Sequence, residues 1–130
     1  MYTMKQMCDK LEISYETLRF YCNEGLVPNV KRDKNNYRKF GEKDLNWLKG
    51  LLCLRDCGMS VRDMKVYMKL CMCGYDSIGA RQKILHERKE KLLEQMEQLQ
   101  KNVDFIDEKQ QYFEAVLRGD IPYTSNLMDL

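Results

Sequence analysis

Ser14-Tyr15-Glu16-Thr17-Leu18-Arg19-Phe20-Tyr21, closed by Gly25-Leu26-Val27-Pro28, is the stretch on which the fold turns. Ser14 is a natural N-cap, Glu16 puts a negative charge in the first turn, and Leu18 with Phe20 or Tyr21 supplies an inward face. Gly25 favours a helix end, and Pro28 blocks any continuation. Upstream, Thr3 and Gln6 form a capping box for an earlier helix in which Met4, Met7, Cys8 and Leu11 recur at helical spacing. Only Glu12 and Ile13 separate the two helices, so they cross steeply, as in a helix-turn-helix.

Downstream, Val30-Lys31-Arg32 and Tyr37-Arg38-Lys39-Phe40 flank the turn-rich tip Asp33-Lys34-Asn35-Asn36. This predicts a hairpin. Five basic residues and one acidic residue lie between Pro28 and Phe40. Alone, that pattern also suits a solvated loop; after a helix-turn-helix it reads as a wing that grips phosphates. A third helix is expected from about Glu42 to Cys57, with Leu45, Leu48 and Leu52 on one face and Gly58 at its end. Ser60 opens a fourth helix with Met64, Tyr67, Met68 and Cys71 inward, and 74–79 reads as a linker.

The rear of the chain carries a different pattern. Ile78, Leu85, Leu92, Leu99, Ile106 and Phe113 recur at every seventh position, and Met96, Val103 and Leu117 fall on the companion seam with Lys89 and Gln110. This is a coiled-coil heptad repeat on a helix of about 60 Å, and such a seam needs a second copy or the body of its own domain to cover it. A homodimer through Leu85, Leu92, Met96, Leu99, Val103, Ile106 and Phe113 is the expectation. The predicted fold is thus mainly α: a winged helix-turn-helix with connecting helices over 1–75, a coiled-coil dimerisation helix over 76–118, and a short tail over 119–130.

Charge follows the same division. Residues 1–75 hold 14 Lys and Arg against 9 Asp and Glu, whereas residues 76–120 hold 8 against 10. A basic front suits nucleic acid, although a net charge of +2 for the whole chain makes the signal modest. Neither a signal peptide nor a membrane span is legible, so a cytoplasmic protein without a membrane partner is expected. Six cysteines in that compartment are reduced thiols rather than a disulfide framework. With His86 as the only histidine, a thiol enzyme has no convincing base, and neither catalysis nor a cofactor is expected.

Taken together, Thr3-Met4-Lys5-Gln6-Met7-Cys8, Ser14 to Tyr21, Gly25-Leu26-Val27-Pro28, Asn36-Tyr37-Arg38-Lys39-Phe40 and Leu54-Arg55-Asp56-Cys57-Gly58-Met59-Ser60 make the chain resemble the MerR family of transcriptional regulators. The resemblance implies a homodimer held by an antiparallel coiled coil, with two winged helices on successive major grooves of a near-palindromic promoter. It also implies a switch that bends and untwists double-stranded promoter DNA, a distortion that RNA polymerase reads indirectly. Two positions depart from the pattern: Asn36 and Glu12 stand where glycine is common. Asn tolerates left-handed backbone, so the wing turn is expected to survive.

Ser14, Tyr15, Thr17 and Arg19 lie at or near the exposed start of the second helix, where base edges and phosphates come closest. Arg19 matches the family's arginine and is the leading DNA contact, since its fork can clamp phosphate or guanine. Tyr21, Tyr37 and Arg38 match positions near the DNA backbone, and Lys31, Arg32 and Lys34 are electrostatic candidates. Tyr21 reads equally well as core, and Arg38 as a brace between wing and helices.

The resemblance says less about the effector. Metal-sensing members carry a cysteine where this chain has Ser77 and a pair beyond the long helix; here no cysteine follows Cys73. The run Leu51 to Ser60 is similar to members that sense aldehydes and other thiol-reactive electrophiles, with Cys53 at the sensing position and Cys57 one turn on. A cysteine on an apolar helix also serves as a small core residue. Soft-metal binding by Cys57, Cys71 and Cys73, or a ligand that uses no thiol, are the alternatives.

Overall fold

The computed structural model describes residues 1–129. The order is α1 (Met4–Leu11), α2 (Tyr15–Asn23), β1 (Lys31–Arg32), β2 (Arg38–Lys39), α3 (Glu42–Asp56), α4 (Val61–Met72), a 3₁₀ turn (Gly74–Ser77) and α5 (Ile78–Arg118). The chain is mainly helical with one two-stranded antiparallel wing, as the sequence predicts. It divides into two compact units, Met1–Arg88 and the segment from Lys89 onward.

Local chemistry sets the helix boundaries. Thr3 Oγ1 accepts from Gln6 N at 3.1 Å while Gln6 Oε1 accepts from Thr3 N at 2.9 Å, closing the predicted capping box. Ser14 Oγ accepts from Thr17 N at 3.1 Å, and Ser60 Oγ from Asp63 N at 3.1 Å. Glu12 ends α1 in the left-handed region, at φ 54°. That conformation costs an L residue about 1–2 kcal/mol, and glycine's greater unfolded-state freedom offsets about 0.5–1 kcal/mol of any relief. Glu12→Gly is therefore expected to stabilise the protein by about 0.5–1 kcal/mol, visible as a higher denaturant midpoint at unchanged slope.

The core of the first unit is made by Met7, Leu18, Leu26, Phe40, Leu48, Leu51 and Met64, all fully buried. Contacts distant in sequence close it. Trp47 Nε1 donates to Leu26 O at 2.7 Å, locking α3 against the turn that follows α2. Lys65 Nζ pairs with Glu24 Oε2 at 2.6 Å, and Tyr2 and Phe40 exchange backbone hydrogen bonds. Arg88, on α5, donates to Gly58 O at 3.0 Å, where the chain turns between α3 and α4.

Two expectations are revised. The 74–79 linker is shorter: the Ser77 hydroxyl shares its one proton between the Leu70 and Gly74 carbonyls, Gly74–Ser77 winds into the 3₁₀ turn, and α5 already begins at Ile78. In α4, Met64 and Met68 are buried as predicted, whereas Tyr67 and Cys71 are only half-buried at the rim. In the second unit the tail turns back after Gly119, and the Tyr112 hydroxyl accepts from Thr124 N at 2.8 Å.

Candidate nucleic-acid interface

The second helix exposes one face. Leu18 and Tyr21 point into the core, leaving Tyr15, Glu16, Arg19 and Phe20 on the outer side. Tyr15 is 55% exposed and Phe20 45%. Ser14 and Thr17 are tied to each other through their hydroxyls at 2.9 Å, so both hold the start of the helix while Ser14 remains exposed. Tyr21, a candidate DNA contact by sequence, is 3% exposed and belongs to the core. Its ring meets Phe20 edge-on at 5.7 Å, and it is Phe20 that faces outward.

The wing is organised by Asp33. Its Oδ1 accepts from Asn35 N at 2.9 Å and from Tyr37 N at 3.0 Å, and Asn36 takes the left-handed conformation at φ 64°. Lys31 pairs with Lys39 and Arg32 with Arg38 across the two strands. Like charges directly opposite repel, and three of these side chains are restrained by oxygen acceptors, Lys39 Nζ by Asp33 Oδ2 at 3.9 Å. Arg32 Nη1 donates to Asn36 O at 2.9 Å, and Arg38 Nη2 to Asn23 Oδ1 at 2.8 Å. Arg38 therefore braces the wing against the end of α2 and is half-buried, while Lys31, Arg32, Lys34 and Tyr37 are exposed.

Between the helices and the wing lies a groove of 310 Å³ lined by Thr3, Met4, Lys5, Tyr15, Tyr37, Arg38 and Lys39. It brings the first residue of α2 beside the wing aromatic, although 22 positions separate them in sequence. Lys5 on the groove and Phe20 on the outer face of α2 were not among the candidates read from the sequence. Lys5 lies within the Thr3–Cys8 run, but its place beside the groove follows from the tertiary crossing of α1 and α2.

The cysteines separate by environment. Burial pushes the Cys8 and Cys22 thiols up, Cys8 further through Asp9, while Arg38 and Arg32 partly oppose the effect at Cys22. Both pack against the core. Cys53 is exposed on the outer side of α3, although Leu51 and Leu52 beside it are buried. Cys57, Cys71 and Cys73, the soft-metal candidates, have separate surroundings within the chain. Cys57 caps α3, Cys71 Sγ lies 3.9 Å from Arg81 Nη1, and Cys73 Sγ donates to Lys69 O at 3.4 Å. Among the described residues no three His, Cys, Asp or Glu side chains gather to hold a metal.

Two crossed helices, with the exposed start of the second set beside a basic hairpin, define a winged helix-turn-helix DNA-binding unit. The model of the MerR HTH family regulatory protein matches residues 2–71, and the chain belongs to that family. It is 36% identical over 133 residues to an uncharacterised HTH-type transcriptional regulator of Haemophilus influenzae, covering 95% of this chain and 98% of the relative. Its fold matches the crystal structure of HiNmlR, a MerR family regulator lacking the sensor domain, bound to promoter DNA. That match has TM-score 0.75 and 37% identity, over 91% of this chain and 94% of that one. A MerR family regulator from Listeria monocytogenes, itself described as putative, superposes with TM-score 0.81 at 27% identity, over 92% and 91% of the two chains. The protein is a DNA-binding transcriptional regulator and not an enzyme. No helix among the described residues is long and apolar enough to cross a membrane.

Proposed function

We propose that the protein acts as a homodimer whose antiparallel α5 coil presents two winged helices to a near-palindromic promoter, and that it distorts the DNA between them for RNA polymerase to read. The observation that carries this reading is the α5 seam. Met96, Leu99, Val103, Ile106 and Phe113 are each at least half exposed in the single chain, with Leu99 at 62%. A repeating apolar face of this length needs covering, and a second copy supplies the matching face. Promoter DNA bound to HiNmlR supports the same use of the reading head here. Arg19, Tyr15 and Phe20 enter the major groove, Ser14 and Thr17 hold the helix start, and Lys31, Arg32, Lys34 and Tyr37 face the phosphate backbone.

The switch in this reading is Cys53, which reacts with an aldehyde or another electrophile. Its exposure favours a reactive thiol over a packing role. HiNmlR is a regulator lacking the sensor domain, which favours a sensing group inside the region the two chains share. Footprinting the reduced protein on the promoter of its own gene tests the whole reading. Two protected half-sites are expected with and without a thiol-reactive aldehyde, with central base pairs becoming hypersensitive only after treatment. Cys53→Ser is expected to keep DNA affinity within about twofold, a cost under ~0.5 kcal/mol, and to lose the hypersensitivity. A full aldehyde response in that variant refutes the Cys53 switch.

A further inference from the structure

From Ser77 to Arg88, every residue that is not exposed falls on one stripe: Ser77, Arg81, Ile84 and Arg88, at spacings of four, three and four. Such spacing keeps side chains on one helix face. Ile84 packs against the core of the first unit. The seam residues Ile78 and Leu85 lie on a neighbouring face and are exposed. The first turns of α5 thus carry two faces, one committed to the reading head and one left open for a second helix.

The two arginines on this stripe make the same bond at two places. Arg81 Nη2 donates to Gly74 O at 2.9 Å, and Arg88 Nη1 donates to Gly58 O at 3.0 Å. Gly58 and Gly74 are the left-handed residues, at φ 85° and 71°, that directly follow the caps of α3 and α4. A helix C-terminus gathers partial negative charge on its last carbonyls, so a guanidinium is drawn to both places. Arg81 is fixed further by Nε, which donates to the buried Ser77 Oγ at 3.0 Å. Arg81 and Arg88 stand seven residues apart, about 10 Å along the helix. One anchor leaves a rod free to pivot; two fix both its direction and its rotation. Arg88 is the last residue of α5 that belongs to the first unit, and the helix continues unbroken to Arg118.

We propose that Arg81 and Arg88 are positioning residues that set the half-site spacing the regulator accepts, and with it the operators it selects. This rests on the homodimer of the proposed function: the two reading heads are joined through their α5 helices, so whatever fixes each head to its own α5 fixes the distance and twist between them. One base pair added between half-sites moves one of them by about 3.4 Å and turns it by about 35° around the duplex axis. A head held at two anchors does not follow that change, so the DNA has to bend or untwist instead, at a cost in affinity. A head released from the anchors follows it, and spacing is no longer selected. Neither arginine lines the groove beside Tyr15 and Tyr37, so the reading of each half-site is left as it is.

The test selects duplexes from a fully randomised DNA library with the full-length protein and with Arg88→Met, Arg81→Met, the double variant and Arg88→Lys. The parent enriches one half-site sequence in inverted pairs at a single spacing. Each methionine variant enriches the same half-site over several spacings, and the double variant does so most widely. In anisotropy titrations, one base pair inserted into the selected duplex lowers the parent's affinity about tenfold and the double variant's less than about threefold. Arg88→Lys keeps a donor without the fork and narrows the distribution again in part. Arg88 Nε is buried with no hydrogen-bond partner, which works against stability. Arg88→Met therefore loses one hydrogen bond and that penalty together; its melting temperature stays near the parent's, and it decides the matter if the double variant does not fold. A folded Arg88→Met protein that selects spacing as sharply as the parent overturns the proposal, as does weakened binding to a duplex carrying one half-site. A parent pool of single half-sites refutes the homodimeric reading itself, and this inference falls with it.

Discussion

Arg19→Ala is expected to abolish sequence-specific DNA binding while the protein stays folded and associated. The side chain is exposed on the outer face of α2, one turn after Tyr15. Arg32, Arg38 and Lys39 are by contrast each engaged within the reading head. A two-point arginine contact is worth about 1–3 kcal/mol of discrimination. The proposed dimer carries it twice, so operator affinity is expected to fall by between about 30-fold and about 10⁴-fold. Anisotropy titrations at several salt concentrations separate the two chemical roles. If Arg19 holds phosphate, the slope of log K against log salt drops by about two, one for each half-site. If it reads guanine, the slope stays and only the preference for operator over random duplex is lost. Arg19→Lys keeps the charge without the fork, so it restores non-specific affinity more than specificity. Wild-type operator binding by Arg19→Ala rules out α2 as the recognition helix.

What the sequence made legible is what local chemistry decides. The Thr3–Gln6 capping box, the Ser14 and Ser60 caps and the wing turn at Asn36 each depend on residues within one or two turns of one another, and all form as read. The adjacent rings of Phe20 and Tyr21 were not separable. They sit about 100° apart on a helix, and only the packing around Leu18 puts Tyr21 inward and Phe20 outward. Contacts such as Trp47 to Leu26, Lys65 to Glu24 and Arg88 to Gly58 leave no local pattern, because their partners are 21 to 41 positions away. The glycines at 74 and 79 suggested a linker, yet the Ser77 hydroxyl binds two carbonyls and converts it into a helix start. Cys57, Cys71 and Cys73 look like a ligand set in one dimension. The end of α4 gives Cys71 and Cys73 different neighbours within the chain, which spacing alone does not show.

A charge placed in the middle of the α5 seam is expected to separate the two copies, and the way it can be repaired reports their direction. Leu92 and Val103 lie on the two seam rows, on either side of the midpoint of Ile78–Arg118. If two helices run antiparallel about that midpoint, Leu92 faces the partner's Val103 and Leu99 faces the partner's Met96. In a parallel pair, Leu92 meets the partner's Leu92. Leu92→Glu buries an uncompensated carboxylate in each copy at about 3–5 kcal/mol apiece. Dimerisation therefore weakens by at least ~10⁴-fold. Sedimentation equilibrium should find a monomer at micromolar concentration, with DNA binding reduced to that of one winged helix on one half-site. Adding Val103→Lys sets Glu against Lys twice in the antiparallel arrangement and recovers much of the dimer. In a parallel coil the same double variant opposes Glu to Glu and Lys to Lys, and it associates no better than Leu92→Glu alone. Recovery in the double variant establishes the antiparallel coil, with the two reading heads at opposite ends of the paired helices and so spaced for separate half-sites. A Leu92→Glu protein that remains dimeric removes the seam from the interface altogether.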